Sequence, residues 1–458
     1  MLAQIVAGLL AATSPPRALP GAQLVLYVPR FDKLAGISAF LARAGTHSPL
    51  LRPSTWRSQL HPLLEVDLTS ADSLERSGID PAGGGTISFA GDDRVSCTAL
   101  RDPKVFEARA TAKLRSLGEP WKSSANGVQL VGTASGGRVI AGYAVKGREA
   151  CAVSSARAAE DLLRKAAALV IKPSSGEPWK SAVSLPGSAF LISPDSSMAI
   201  EGSSTRLTFE GRGRRLQLAA VHPVASSPYA AIAPAGLLFA RAHADSGFQD
   251  AAAMRLQSEA LQFCQGCDAG QLRTLIDGLV KSLSGDWMVR VESAKIGATQ
   301  RSSLARYFAV KNAFVAMVSD PGAVERTLAA LSSWKNAHRT QSGVVLTVPG
   351  GEIEIGLHGK HLYVANDPRA LKGALEMLST PPSSLKHGAE FALDPSRVAK
   401  MLSQLSLLDA LGSRELAPLV AIGAELGPLL AASDAIRGWA DSAGKGEHRF
   451  ALTWVLKP

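Results

Sequence analysis

Residues 343–365, GVVLTVPGGEIEIGLHGKHLYVA, alternate apolar and polar positions around two turn signals. Ile353, Ile355 and Leu357 alternate with Glu352, Glu354 and Gly356, the period of strands with one wet face. Pro-Gly-Gly and His-Gly-Lys mark the turns. Elsewhere the period changes to that of a helix, with Val105, Leu114 and Leu117 in one stretch and Val324, Leu328 and Leu331 in another. Both stretches open on Asp-Pro, at Asp102-Pro103 and Asp320-Pro321. An Asp carboxylate caps the free N–H groups of a first helical turn, and Pro suits the next position because no N–H is needed there. The same pair recurs at Asp367-Pro368 and Asp394-Pro395. These patterns predict an α+β fold: largely antiparallel sheet, one face covered by helices.

The helical stretches also mark an internal repeat. Aligning Asp102 with Asp320 brings Trp121-Lys122 onto Trp334-Lys335, Gly127-Val128 onto Gly343-Val344, Gly147 onto Gly359 and Leu163 onto Leu375. Further upstream, ALPGAQLVLYV from Ala18 resembles SLPGSAFLISP from Ser184. The reading is two duplicated units, at 18–170 and 184–380, the second with an inserted helical segment around 245–300. A C-terminal α+β extension covers 385–458. The hexapeptide GEPWKS occurs twice, at 118–123 and 176–181, but its copies do not share a register. Trp121 follows the repeat's central helix and has Trp334 as its counterpart, whereas Trp179 lies in a Pro/Ser-rich linker. Trp121 and Trp334 are expected to seal a helix onto its sheet.

Composition narrows the classes. Of 458 residues, 46% are hydrophobic and 19% charged, which suits a globular chain. The formal charge of +10 is scattered, and aromatics are 5%, too few for an obvious base-stacking surface, so nucleic acid is not expected as a partner. Arg212, Arg214 and Arg215 form the densest basic spot and are expected on a turn leading into a strand. The apolar stretch Leu2 to Ala12 resembles the core of a secretory signal, placed at 1–14, although no basic residues precede it. No segment reaches transmembrane length. Export to the periplasm or beyond is the expectation.

Four cysteines suit that compartment. Cys97 and Cys151 fall on two predicted strands of the first unit, and Cys264 and Cys267 form a Cys-x-x-Cys pair before a helix. Pairing Cys97 with Cys151 and Cys264 with Cys267 is the economical choice among three connectivities. A helix N-terminus could activate Cys264 or Cys267 for redox work, but the adjacent Asp268 opposes a thiolate, so a structural staple is favoured over a redox or metal role. His358 and His361 flank a hairpin near Glu352 and Glu354 and are expected as exposed turn histidines, not zinc ligands. Asp92-Asp93 lies in a predicted turn. The sequence has no Gly-x-Ser-x-Gly elbow and no phosphate loop ending in Gly-Lys-Ser/Thr. No catalytic, cofactor or metal residue is assigned.

The LPG runs that enter strands, together with endings such as VANDPRAL, resemble those of a class of large exported bacterial two-repeat proteins known as domains of unknown function. The resemblance implies an exported, non-enzymatic protein, and the duplication, the signal-like segment and the absence of a catalytic constellation add the expectation of a binding or scaffolding role in the cell envelope. Its partner would be an envelope protein or an apolar, lipid-like ligand. A thiol-disulfide oxidoreductase using Cys264 and Cys267 is the competing reading.

Overall fold

The computed structural model describes residues 16–52, 55, 60–157, 159–174, 185–213, 221–229, 236–244, 269–295, 307–405, 417–444 and 447–458. It is a mixed helix and strand structure whose sheet pairings are antiparallel. The chain separates into two compact units, 1–215 and 216–457.

In the first unit, β1 (Leu24–Val28) is followed by α1 (Ala35–Ala44) and α2 (Ala71–Arg76). The hairpin β2 (Gly85–Ala90) and β3 (Asp93–Ala99) leads into α3 (Pro103–Arg115). A four-strand meander follows: β4 (Glu119–Ala125), β5 (Val128–Ser135), β6 (Arg138–Lys146) and β7 (Glu149–Ser154). Then come α4 (Ala159–Ile171), β8 (Ala189–Ser193), β9 (Ser196–Gly202) and β10 (Arg206–Gly213). The strands lie in the order β4-β5-β6-β7-β3-β2-β1-β8-β9-β10. Leu162, Leu163, Ala166, Ala167 and Val170 of α4 pack on Val128, Leu130, Val139 and Val153 of the sheet.

The second unit starts with β11 (Val224–Ser227) and β12 (Leu238–His243). Next are α5 (Ala269–Lys281), β13 (Leu283–Ala294), β14 (Val310–Val318) and α6 (Pro321–Ser332). Its meander is β15 (Ala337–Arg339), β16 (Gly343–Val348), β17 (Gly351–His358) and β18 (His361–Ala365). After α7 (Pro368–Leu378) come β19 (Ser383–Leu385), β20 (Ala389–Leu393), α8 (Pro395–Leu402), α9 (Ala417–Ala431), β21 (Ser433–Gly444) and β22 (Glu447–Leu456). Ten of these strands run in the order β15-β16-β17-β18-β14-β13-β12-β20-β21-β22. Position by position this is the order of the first sheet. Strands β11 and β19 pair separately.

The boundary between units differs from the one expected at 184. Strand β8 pairs with β1, so the two LPG segments are neighbours in one sheet, where Leu185 packs beside Val25, Tyr27 and Phe190. The strand placed like β1 in the second sheet is β12. Each is preceded by a glycine with positive φ, Gly21 at 76° and Gly236 at 102°, a conformation that favours glycine. Residues 385–456 are not a separate layer, because β20 pairs with β12 inside the second sheet. Of the expected insertion at 245–300, residues 245–268 and 296–300 lie outside the described residues. The rest holds α5 and β13.

All four Asp-Pro helix starts are capped. Asp102 accepts from Lys104 and Val105 N–H, Asp320 from Ala323, Asp367 from Arg369 and Ala370, and Asp394 from Ser396 and Arg397. The buried stripe of α6 includes Val324, Leu328 and Leu331, as its spacing predicts. That of α3 is Phe106, Ala110 and Leu114, one residue on from Val105, and Leu117 is exposed beyond the helix end. Trp121 and Trp334 each pack, partly buried, against the core of their own unit. Arg212 lies within β10 instead of on a turn, and Arg214 and Arg215 lie outside the described residues, as do 1–14 and the second GEPWKS copy.

Candidate functional site

Cys97 and Cys151 form a disulfide. The residues are register partners on β3 and β7, buried in the core beneath α4. The equivalent rung of the second sheet, Val315 on β14 opposite Tyr363 on β18, lies in the core beneath α7. Cys264 and Cys267 lie outside the described residues.

Several polar side chains of the second unit stand at one end of its sheet. Strand register places His361 beside Met317 and His358, and His243 beside Asp286. Strand β13 bulges between Leu283 and Trp287, where Gly285 has φ +97°. A Cβ there would meet the Ala244 carbonyl oxygen at 2.3 Å, so glycine is required for β13 to approach β12 and present Asp286. His243 Nδ1 stands 3.2 Å from Asp286 Oδ1. Next along, Asp441 Oδ2 lies 2.9 Å from His387 Nδ1, and its Oδ1 accepts from Gly388 N–H. The His387 ring stacks on Trp439 at 3.9 Å.

Tyr229 closes this end from one side. It is fully buried, and its hydroxyl donates toward the Asp286 and Val315 carbonyl oxygens at 3.2 and 3.4 Å. Burial raises its pKa, and the nearby Asp286 charge adds to the shift. The Tyr229 carbonyl accepts from Arg241, a guanidinium only 3% exposed that pairs with Glu390 at 2.8 Å. Arg241 also donates to Ser383 Oγ and the Ser384 carbonyl, which ties the β11–β19 strap to β12. His361 lies 6.0 Å from the Tyr229 ring and is half-buried, whereas His358 is exposed as expected. Burial lowers the His361 pKa and favours the neutral ring, while its hydrogen bond to the His358 backbone pulls the other way.

Among the expected sites, the sequence pairs Cys97 with Cys151 correctly but does not join His243, Asp286 and His361. These three stand on separate strands, and only the sheet register relates them. Glu354 is engaged elsewhere, accepting from the Tyr363 hydroxyl at 3.0 Å. Asp93 accepts from Ser155 at 2.6 Å, a link between β3 and the start of α4.

No protein-family model matches this sequence, and no curated protein is significantly similar to it. One solved structure, crystal form I of TP0453, is similar over 80% of this chain and 98% of its own. At 11% identity and a TM-score of 0.24, that likeness is too distant to carry a fold or a function across. None of these comparisons supplies the exported two-repeat class. No helix among the described residues is long and apolar enough to cross a membrane.

Proposed function

We propose that this chain is an exported, non-catalytic binding or scaffolding protein of the bacterial cell envelope, built from one ten-stranded unit used twice. The observation that carries the export reading is the Cys97–Cys151 bond in the first core. Structural disulfides persist in oxidising compartments and are rare in reducing ones. The apolar stretch at residues 2–12 supports the same reading.

Duplication is supported by the shared strand order, by the matched rungs Cys97–Cys151 and Val315–Tyr363, and by the packing of Trp121 and Trp334 after equivalent helices. A scaffolding role is favoured over an apolar carrier because the helix–sheet interfaces are filled by side chains. A lipid-like ligand would have to displace core residues such as Leu163 or Val153, both fully buried.

Export is tested by fusing the full chain ahead of an alkaline phosphatase domain that becomes active only after its own disulfides form outside the cytoplasm. Active fusion in a host with intact secretion supports the reading. Inactive but intact fusion overturns it. Turnover of ester, peptide or phosphate substrates by the pure protein would overturn the non-catalytic part.

A further inference from the structure

At the end of β13 away from Gly285, the second unit holds an open recess of about 550 Å³. Its described lining includes Ser293, Lys295, Phe308, Ala309, Lys311 and Gln404. Strand register brings four of these together. Strand β13 shifts register between Val291 and Ser293, and Ser293 then faces Lys311 on β14. Two residues on, Lys295 N–H donates to the Ala309 carbonyl at 2.8 Å. Facing residues, and residues two apart on one strand, project to the same side of a sheet. Ser293, Lys295, Ala309 and Lys311 therefore share one face of the β13–β14 ribbon.

The recess is built before any ligand arrives. Asn366, 8% exposed, donates from Nδ2 to the Tyr307 and Val310 carbonyls at 3.0 and 2.9 Å, and its Oδ1 accepts from Asn312 N–H at 2.9 Å. These bonds pin the chain on both sides of Phe308, whose own side chain is buried. The turn between β16 and β17 closes on the Phe308 ring, since a Cβ at Gly351 would stand 2.8 Å from it. Small-molecule sites are concave, largely preformed and of about 300–1,000 Å³.

The lining selects the ligand. Among the described residues it contains two lysines and no carboxylate. Glu292, at the register shift, is engaged by Arg290 at 2.9 Å and Arg397 at 3.0 Å. A concave surface lined by one sign of charge concentrates ions of the other. Ser293 and Gln404 add a hydroxyl and an amide as neutral donors, and Phe308 and Ala309 supply apolar surface.

We propose that this recess binds a small organic anion, its charged group at Lys311 and Lys295 and its apolar body against Phe308 and Ala309. The lining shares no residue with the cores under α4 and α7, so binding requires no core side chain to be displaced. The site stands independently of where the protein resides.

The test is titration of the full chain with anilinonaphthalene sulfonate, an aromatic anion that fluoresces in apolar surroundings. The expected result is one saturable site per chain, from which decanoate displaces the probe while decanol and inorganic phosphate at the same concentration do not. Lys311→Glu reverses the charge, and Ser293→Trp fills the recess from an exposed position. Each should weaken binding at least about tenfold. Lys360→Glu, in the β17–β18 turn, should leave it unchanged. Acetylation of the unmutated protein, read by peptide mass spectrometry, needs no variant to fold: decanoate should slow modification of Lys311 and not of Lys360. Absence of a saturable site, displacement by decanol or phosphate as effective as by decanoate, full affinity in both Lys311→Glu and Ser293→Trp, or no protection of Lys311 would overturn the proposal.

Discussion

Cys97 on β3 stands directly opposite Cys151 on β7, and their sulfurs are bonded within the core under α4. The bond closes a loop with a sequence separation of 54 and joins two adjacent strands of the first sheet. Constraining a loop of that size in the unfolded chain is worth about 4 kcal/mol in the chain-entropy view. Cys97→Ala with Cys151→Ala is expected to lower the stability of the first unit by about 2–4 kcal/mol, measured by urea unfolding. Since both residues are at most 1% exposed, mild reductant should open the bond only as fast as the unit unfolds. Rapid reduction of the native protein would contradict this burial.

Arg241 is a buried charge at a junction of the second unit. It is 3% exposed and holds Glu390, Ser383, Ser384 and the Tyr229 carbonyl together. Arg241→Met leaves Glu390, 16% exposed, without its cation, at a cost of about 3 kcal/mol. Arg241→Met with Glu390→Met should cost less than the single change, because no charge is then stranded. Chemical unfolding of the two variants distinguishes these outcomes.

The Asp-Pro caps should be separable from tertiary effects. Asp102 is exposed at the start of α3, and its carboxylate accepts two backbone N–H groups. Asp102→Ala is expected to cost about 1 kcal/mol, and Asp102→Asn much less. Equal losses in both variants would show that the charge, not the cap, matters.

His61 gives the first unit a pH dependence of known sign. It is 2% exposed, and burial pushes its pKa from 6.5 down to about 3. Its Nδ1 accepts from the Leu63 and Leu64 N–H groups at 3.2 and 3.1 Å. The unfolded chain takes up a proton near pH 6.5 that the folded unit refuses until about pH 3. The stabilising difference is therefore complete above pH 6.5 and is lost as pH falls toward 3, by about 1.4 kcal/mol per pH unit. His61→Asn retains an acceptor for those N–H groups and should flatten this slope in urea titrations at stepped pH.

Local chemistry was the legible part of this fold. The Asp-Pro caps, the hairpin turn at 359–360 and the Cys97–Cys151 pairing each depend on short segments or on strands that alternate clearly. The unit boundary was harder, because β1 and β8 both follow an LPG entry although they lie side by side in one unit. The better sign was the glycine before β12 in APAGLLFARA, since Gly236 adopts the positive φ of Gly21. On α3 the apolar spacing admitted two faces, and the bulk of Phe106 decided for the one containing Ala110 and Leu114. His243, Asp286 and His361 were not legible as a set, because the bulge at Gly285 and the register across four strands bring them to one end.

The most direct measurement of the account is non-reducing peptide mapping of the protein isolated from its native host, with free thiols alkylated at lysis. One linked pair of peptides carrying Cys97 and Cys151 is expected, recovered from the exported fraction. Both cysteines alkylated, in protein recovered from the cytoplasm, would contradict it.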